Sequence, residues 1–162
     1  MPLVYLGLGS NSEPEANLRL AARELAARFA IRARSSVYLN KPIGFEGNDF
    51  LNAVVCVATE MSPGDICREL EEIHTLAGRE RDINPFVSRT LDVDLLLYDR
   101  LIIDAPPVRV PRADVLEYSF VLGPLAEIAP DYVHPRTGKT LRWHWENFNR
   151  AAHPLTRDDL IL

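Results

Sequence analysis

Asp92 and Asp94 stand two residues apart in Leu91-Asp-Val-Asp-Leu-Leu-Leu-Tyr98, a run whose composition and period predict a β-strand. Side chains alternate faces along a strand, so both carboxylates point the same way. Like charges held that close repel unless a cation lies between them. Upstream, Arg79-Glu-Arg-Asp-Ile-Asn-Pro-Phe-Val-Ser-Arg89 is polar and punctuated by Pro85, which suits a loop. Arg79, Arg81 and Arg89 can fold from that loop over the face that carries the aspartates. Carboxylates for a divalent cation beside guanidiniums for phosphate oxygens point to Mg²⁺ and a nucleotide polyphosphate. The plainer alternative is a structural ion-pair network in which Arg79 and Arg89 neutralise Asp92 and Asp94.

The elements that must position these groups follow from the rest of the chain. Val4 to Leu8 is apolar and runs into Gly7-Leu-Gly-Ser-Asn11, a central strand and a tight turn. Ser12 and Glu15 have capping-box spacing, and a helix with Leu18, Ala21, Leu25 and Phe29 on one stripe runs to about residue 30. Ser35 to Leu39 reads as a second strand, 40–48 as a loop, and Phe50 to Thr59 as a central third strand. Asn52 is the one strongly polar member of that third strand. Ser62, Pro63 and Asp65 open a second helix with the stripe Ile66, Leu70, Ile73 and Leu76, and Gly78 closes it. His74 reads as an ordinary helix-end histidine in preference to a catalytic one.

After the aspartate strand, Leu101 to Ile103 reads as a short hairpin partner. Pro106, Pro107 and Pro111 mark an irregular connection. Phe120 to Ala129 reads as a short helix or two turns interrupted near Gly123-Pro124. The order strand, helix, strand, strand, helix, strand is the split βαβ plan. It gives an α+β fold with an antiparallel sheet and two helices on one face. C-terminal additions would cover the other face, with room for a ligand between them and the sheet.

The totals bound the function. The 162 residues suit one domain spanning 1–162, and 47% apolar with 25% charged residues is ordinary for a globular protein. A net charge of −5 argues against a general nucleic-acid binder. The split βαβ plan also hosts RNA-binding modules, but the central strands here lack the paired exposed aromatics those modules stack on bases. Cys56 and Cys67 lack ligand spacing and read as free thiols; His134, His144 and His153 lack it too. No apolar segment approaches bilayer-spanning length, so the expectation is a cytoplasmic protein, monomer or homodimer, without a membrane partner.

On these motifs the chain resembles the 6-hydroxymethyl-7,8-dihydropterin pyrophosphokinases. The matching pieces are Tyr5-Leu-Gly-Leu-Gly-Ser-Asn11, Pro42-Ile-Gly44, Phe50-Leu-Asn-Ala-Val54, Gly78-Arg79 and Arg89-Thr-Leu-Asp-Val-Asp94. Val110-Pro111, Phe120 and Pro124 to Pro130 follow in the family order. The resemblance implies a ferredoxin-like βαββαβ core and transfer of pyrophosphate from ATP to a reduced pterin, with release of AMP. It implies two Mg²⁺ ions on Asp92 and Asp94, and Arg79 and Arg89 at the phosphates. ATP contacts would include Arg81, Arg89, Leu95, Arg109 and Arg112. Asn52 would meet the pterin edge and Phe120 its face, with Pro42, Ile43, Gly44 and Phe50 lining the pocket.

The chain departs from the family near the chemistry. Pro85-Phe86-Val87-Ser88 replaces a basic residue, Trp, Gly and Pro before the signature arginine. His74 replaces a glutamate, Arg112 a histidine, Tyr118 an arginine and Lys41 a proline. Two alternatives follow: a paralogue acting on a modified pterin or another small alcohol, with Lys41 meeting an anionic group, and a non-catalytic pterin- or nucleotide-binding protein.

Overall fold

A computed structural model describes residues 1–44, 46–78 and 91–162. The expected loop of Arg79, Arg81, Pro85 to Ser88 and Arg89 lies outside the described residues. The elements are β1 (Leu3–Ser10), α1 (Pro14–Arg28), β2 (Ala30–Arg34), β3 (Tyr38–Asn40), β4 (Phe50–Ala58), α2 (Pro63–Leu76) and β5 (Asp92–Tyr98). They continue with β6 (Ile103–Ala105), β7 (Val108–Val110), α3 (Asp114–Glu117), α4 (Ser119–Ile128), α5 (Leu141–Glu146) and β8 (Thr156–Arg157).

The main sheet is antiparallel in the order β5-β1-β4-β3-β8, with β2 pairing the far end of β4. Taken together, β2 and β3 are one edge strand broken in the middle, which gives the expected βαββαβ core. The alternating pattern decides what each face buries. Val4, Leu6 and Leu8 of β1, Val55 and Val57 of β4, and Val93 and Leu95 of β5 meet Leu18, Leu25, Ile66 and Ile73 from α1 and α2. Tyr5, Val54, Cys56 and Leu96 face the other way, onto Val115, Leu122, Leu125 and Leu141 from α3, α4 and α5. The C-terminal helices therefore form the second cover over the sheet, as expected.

Four local expectations are corrected. The second strand is not Ser35 to Leu39, because that segment holds the break. The Ser35 hydroxyl accepts the Val54 amide at 2.8 Å in place of a ladder bond, and Ser36 turns away to donate its amide to Glu127. Ser12 does not cap α1. Glu13 occupies that position at φ 44, and the Ser12 carbonyl instead accepts from Asn17 at 2.6 Å. The segment after Tyr98 pairs as β6 with β7, not with the aspartate strand. Finally, α4 runs without a break through Gly123 and Pro124. Its buried Val121, Leu122 and Leu125 outweigh the lost donor, and Gly123 leaves room for the Trp145 ring. The start of α2 is as expected: Ser62 accepts the Asp65 amide at 3.2 Å. Gly78 follows the helix at φ +83, where a side chain would be strained. Among the described residues no helix is long and apolar enough to cross a membrane.

Candidate active site

The site begins with the two aspartates and a one-residue irregularity beneath them. Leu6 pairs with Leu95 but Tyr5 with Leu97, so Leu96 is an extra residue in β5. Such a bulge re-aims side chains and strengthens twist. Asp92, Asp94 and Leu96 all line one cavity of about 410 Å³ on the face opposite α1 and α2. The Leu96 carbonyl accepts the Arg112 amide at 2.9 Å, which fastens the chain leaving β7 against the bulge. Arg112 Nη2 then stands 3.9 Å from Asp94 Oδ1, and its Nε lies 3.1 Å from Asp114 Oδ2. Burial pushes the Asp94 carboxyl above its ordinary value; Arg112 opposes the shift, while Asp92 and Asp114 add to it.

The opposite end of this cavity is flat and amide-rich. Asn52, buried on β4, donates to Asn40 Oδ1 across the β3–β4 pair. Gly9 lies directly opposite Asn52 in the ladder, and a Cβ there would come within 2.9 Å of Asn52 Oδ1. Glycine at position 9 thus gives Asn52 its room. Phe120, at the start of α4, stacks on Tyr118 with ring centroids 5.0 Å apart and planes 15° off parallel. Phe50 and Ile43 complete the mouth.

A second cavity of about 350 Å³ shares Asp92, Asp94 and Arg112 with the first and is backed by α2, β5 and Arg109. A third, of about 430 Å³, shares Asn40, Ile43 and Phe120 with the first and carries Lys41 and Pro42. Of the expected site residues, the first cavity gathers Asp92, Asp94, Arg112, Ile43, Phe50, Asn52 and Phe120. Leu95 and Arg109 line the second; Leu95 is buried and Arg109 is exposed beside Asp104. Pro42 lines the third, and Gly44 lines none of the three.

The donor set fits a hard divalent cation. Mg²⁺ is commonly held by one or two carboxylates together with waters and phosphate oxygens, and two aspartates on one cavity wall supply that. Among the described residues no group of three or more His, Cys, Asp or Glu side chains forms a fuller metal cage.

Comparison with known proteins places the chain in a family. Residues 5–130 match the family model of 7,8-dihydro-6-hydroxymethylpterin-pyrophosphokinase. The chain belongs to that pyrophosphokinase family. It is similar to the Methylorubrum extorquens 2-amino-4-hydroxy-6-hydroxymethyldihydropteridine pyrophosphokinase, 40% identical over 137 residues, which is 82% of this chain and 86% of that one. The Pseudomonas aeruginosa protein of the same name is 36% identical over 132 residues, 79% of this chain and 81% of its own. A solved Plasmodium falciparum HPPK-DHPS chain superimposes with a TM-score of 0.74 at 13% identity, covering 90% of this chain. The present chain spans 45% of that longer one, and the likeness speaks to fold.

Three residues at this candidate site escape sequence reasoning. Asn40 reaches Asn52 only through the β3–β4 register. Asp114 reaches Arg112 only through the turn after β7. His74, read as a helix-end residue, is buried and accepts the Val93 amide on Nε2 at 2.9 Å. The departure from glutamate was its one visible signal.

Proposed function

We propose that this protein transfers the pyrophosphoryl group of ATP to the hydroxymethyl oxygen of 6-hydroxymethyl-7,8-dihydropterin, releasing AMP for folate biosynthesis. The observation that carries this reading is one cavity with paired aspartates at one end and an amide-and-aromatic slot at the other. A flat heterocycle slides beside Phe120, which Tyr118 holds in plane from behind. The Asn52–Asn40 pair offers donors and acceptors to the amide-like edge of the ring. That placement points the hydroxymethyl group toward Asp92 and Asp94.

Asp92 and Asp94 would hold Mg²⁺, in two ions with ATP bound. Mg²⁺ held there would supply charge neutralisation for the phosphate oxygens and would lower the pKa of the attacking hydroxyl. In the reaction the pterin oxygen bonds to the β-phosphorus and the bond from that phosphorus to the bridging oxygen of the departing AMP breaks. The hydroxyl proton is released. Arg112, beside Asp94, would meet charge on those oxygens, and Arg79, Arg81 and Arg89 would supply further guanidiniums. Arg109 and Leu95 serve the ATP side of the second cavity. Residues 1–162 act as one pyrophosphokinase domain.

Incubation with ATP, Mg²⁺ and the pterin, followed by nucleotide separation, tests this. AMP and a pterin diphosphate are expected, whereas ADP marks a simple kinase. Absence of turnover with retained pterin binding marks a binding protein. A second reading, an acceptor carrying an anionic group, is favoured by Lys41 in the cavity that adjoins the pterin slot. A panel of modified pterins compared by kcat/KM separates the two acceptors.

A further inference from the structure

His74 is bound into the site through the backbone rather than through a ligand. It sits on the last turn of α2 and is 4% exposed. Its Nε2 lies 2.9 Å from the Val93 amide nitrogen, and its Nδ1 lies 3.2 Å from Glu71 Oε1. A backbone N–H can only donate, so Nε2 accepts. The carboxylate can only accept, so Nδ1 carries the proton. The two bonds together define one neutral tautomer.

Val93 is the residue between the two aspartates. Strand β5 lies at the edge of the sheet with β1 as its ladder neighbour, and on its outward side the Val93 amide meets His74 of α2 rather than another strand. A strand edge without a second neighbour can slide and twist, and a twist at Val93 rotates Asp92 and Asp94 relative to each other. The bulge at Leu96 already bends this strand. We propose that His74 is a positioning residue that pins the peptide between Asp92 and Asp94, fixing the spread of the two carboxylates for the metal–nucleotide complex. The proposal rests on the function assigned above. Outer partners of this kind act by orienting ligands, and their loss commonly costs about 10- to 100-fold in metal affinity or activity.

Two measurements test it, neither of which needs turnover. In ¹⁵N-labelled wild-type protein, the His74 ring, assigned by its loss in His74→Gln, is expected to be protonated on Nδ1 with Nε2 as acceptor. A ring protonated on Nε2 overturns the proposal. Binding of Mn²⁺ with α,β-methylene-ATP, followed by electron paramagnetic resonance, is expected to weaken about tenfold or more in His74→Leu. It should return to within about threefold of wild type in His74→Gln, whose amide oxygen can still accept the Val93 amide. Wild-type affinity in His74→Leu, or equal weakness in both variants, overturns the proposal. If His74→Leu does not fold, the wild-type tautomer and the affinity of His74→Gln decide. Failure of wild-type protein to bind the Mn²⁺ complex counts against the assigned function instead, and the tautomer alone then decides the role of His74.

Discussion

Asp94 carries a charge that the surrounding protein does not favour. Burial raises its carboxyl above the ordinary range, and Arg112 opposes that shift. Replacing it removes a group kept for chemistry rather than for the fold. Asp94→Asn is expected to lower kcat by at least about 100-fold, the scale of losing one strong electrostatic stabiliser. Thermal unfolding of the variant should be unchanged or slightly raised, since Arg112 keeps its bond to Asp114. A second effect of a single residue concerns His134, which is buried beside His144. Burial, with help from His144 and Arg136, lowers its pKa from 6.5 to about 4. The unfolded chain therefore takes up a proton that the folded one refuses, and stability falls as the pH drops from about 6.5 toward 4. By linkage the loss between pH 7 and pH 5 is about 2 kcal/mol. Urea unfolding of wild type and His134→Gln at both pH values checks this: the variant should lose less stability over that interval.

At the scale of elements, the site depends on joins between strands. Glu127 of α4 bridges the break between β2 and β3. It accepts from the Ser36 amide at 3.0 and 3.1 Å, from the Ser36 hydroxyl at 2.8 Å and from the Tyr38 hydroxyl at 2.8 Å. Arg157 of the tail strand lies 3.7 Å from the same carboxylate. Glu127→Ala is expected to cost about 2 kcal/mol, the scale of hydrogen bonds to a charged acceptor, seen as a fall of several degrees in Tm. Gly9→Ala perturbs a different join. Its methyl group would collide with Asn52 Oδ1, so the expected signature is a raised KM for the pterin with an unaltered KM for ATP. Steady-state kinetics with each substrate varied in turn checks it.

These joins also explain what the amino-acid pattern could reveal. The shared face of Asp92 and Asp94 needs only the two-residue period of a strand, and Asn52 stands out in an apolar run. Asn40 and Asp114 come into play only through register and through the turn after β7. His74 works through a main-chain amide, which no side-chain pattern records. The broken edge strand was misplaced for the same reason: Ala30-Ile-Arg-Ala-Arg34 alternates charged residues and lacks an apolar run, while Ser35 supplies a side-chain substitute for a ladder bond.

At the scale of the molecule, α1 and α2 cover one face of the sheet and α3, α4 and α5 the other. The reactive groups lie at one end of the second layer, where β4, β1 and β5 present Asn52, Gly9 and Asp92 side by side. The first and second cavities meet at Asp92, Asp94 and Arg112, so an acceptor in one and a nucleotide in the other would share the same charged wall. Pyrophosphoryl transfer, the activity of the family, moves two phosphoryl units together and requires attack at the β-phosphorus. The most direct test is to follow ATP labelled separately at the β and γ positions, in the presence of Mg²⁺ and 6-hydroxymethyl-7,8-dihydropterin. Both labels are expected to appear in the pterin product in equal amounts while unlabelled AMP accumulates. Transfer of the γ label alone, with the β label left in ADP, would contradict it.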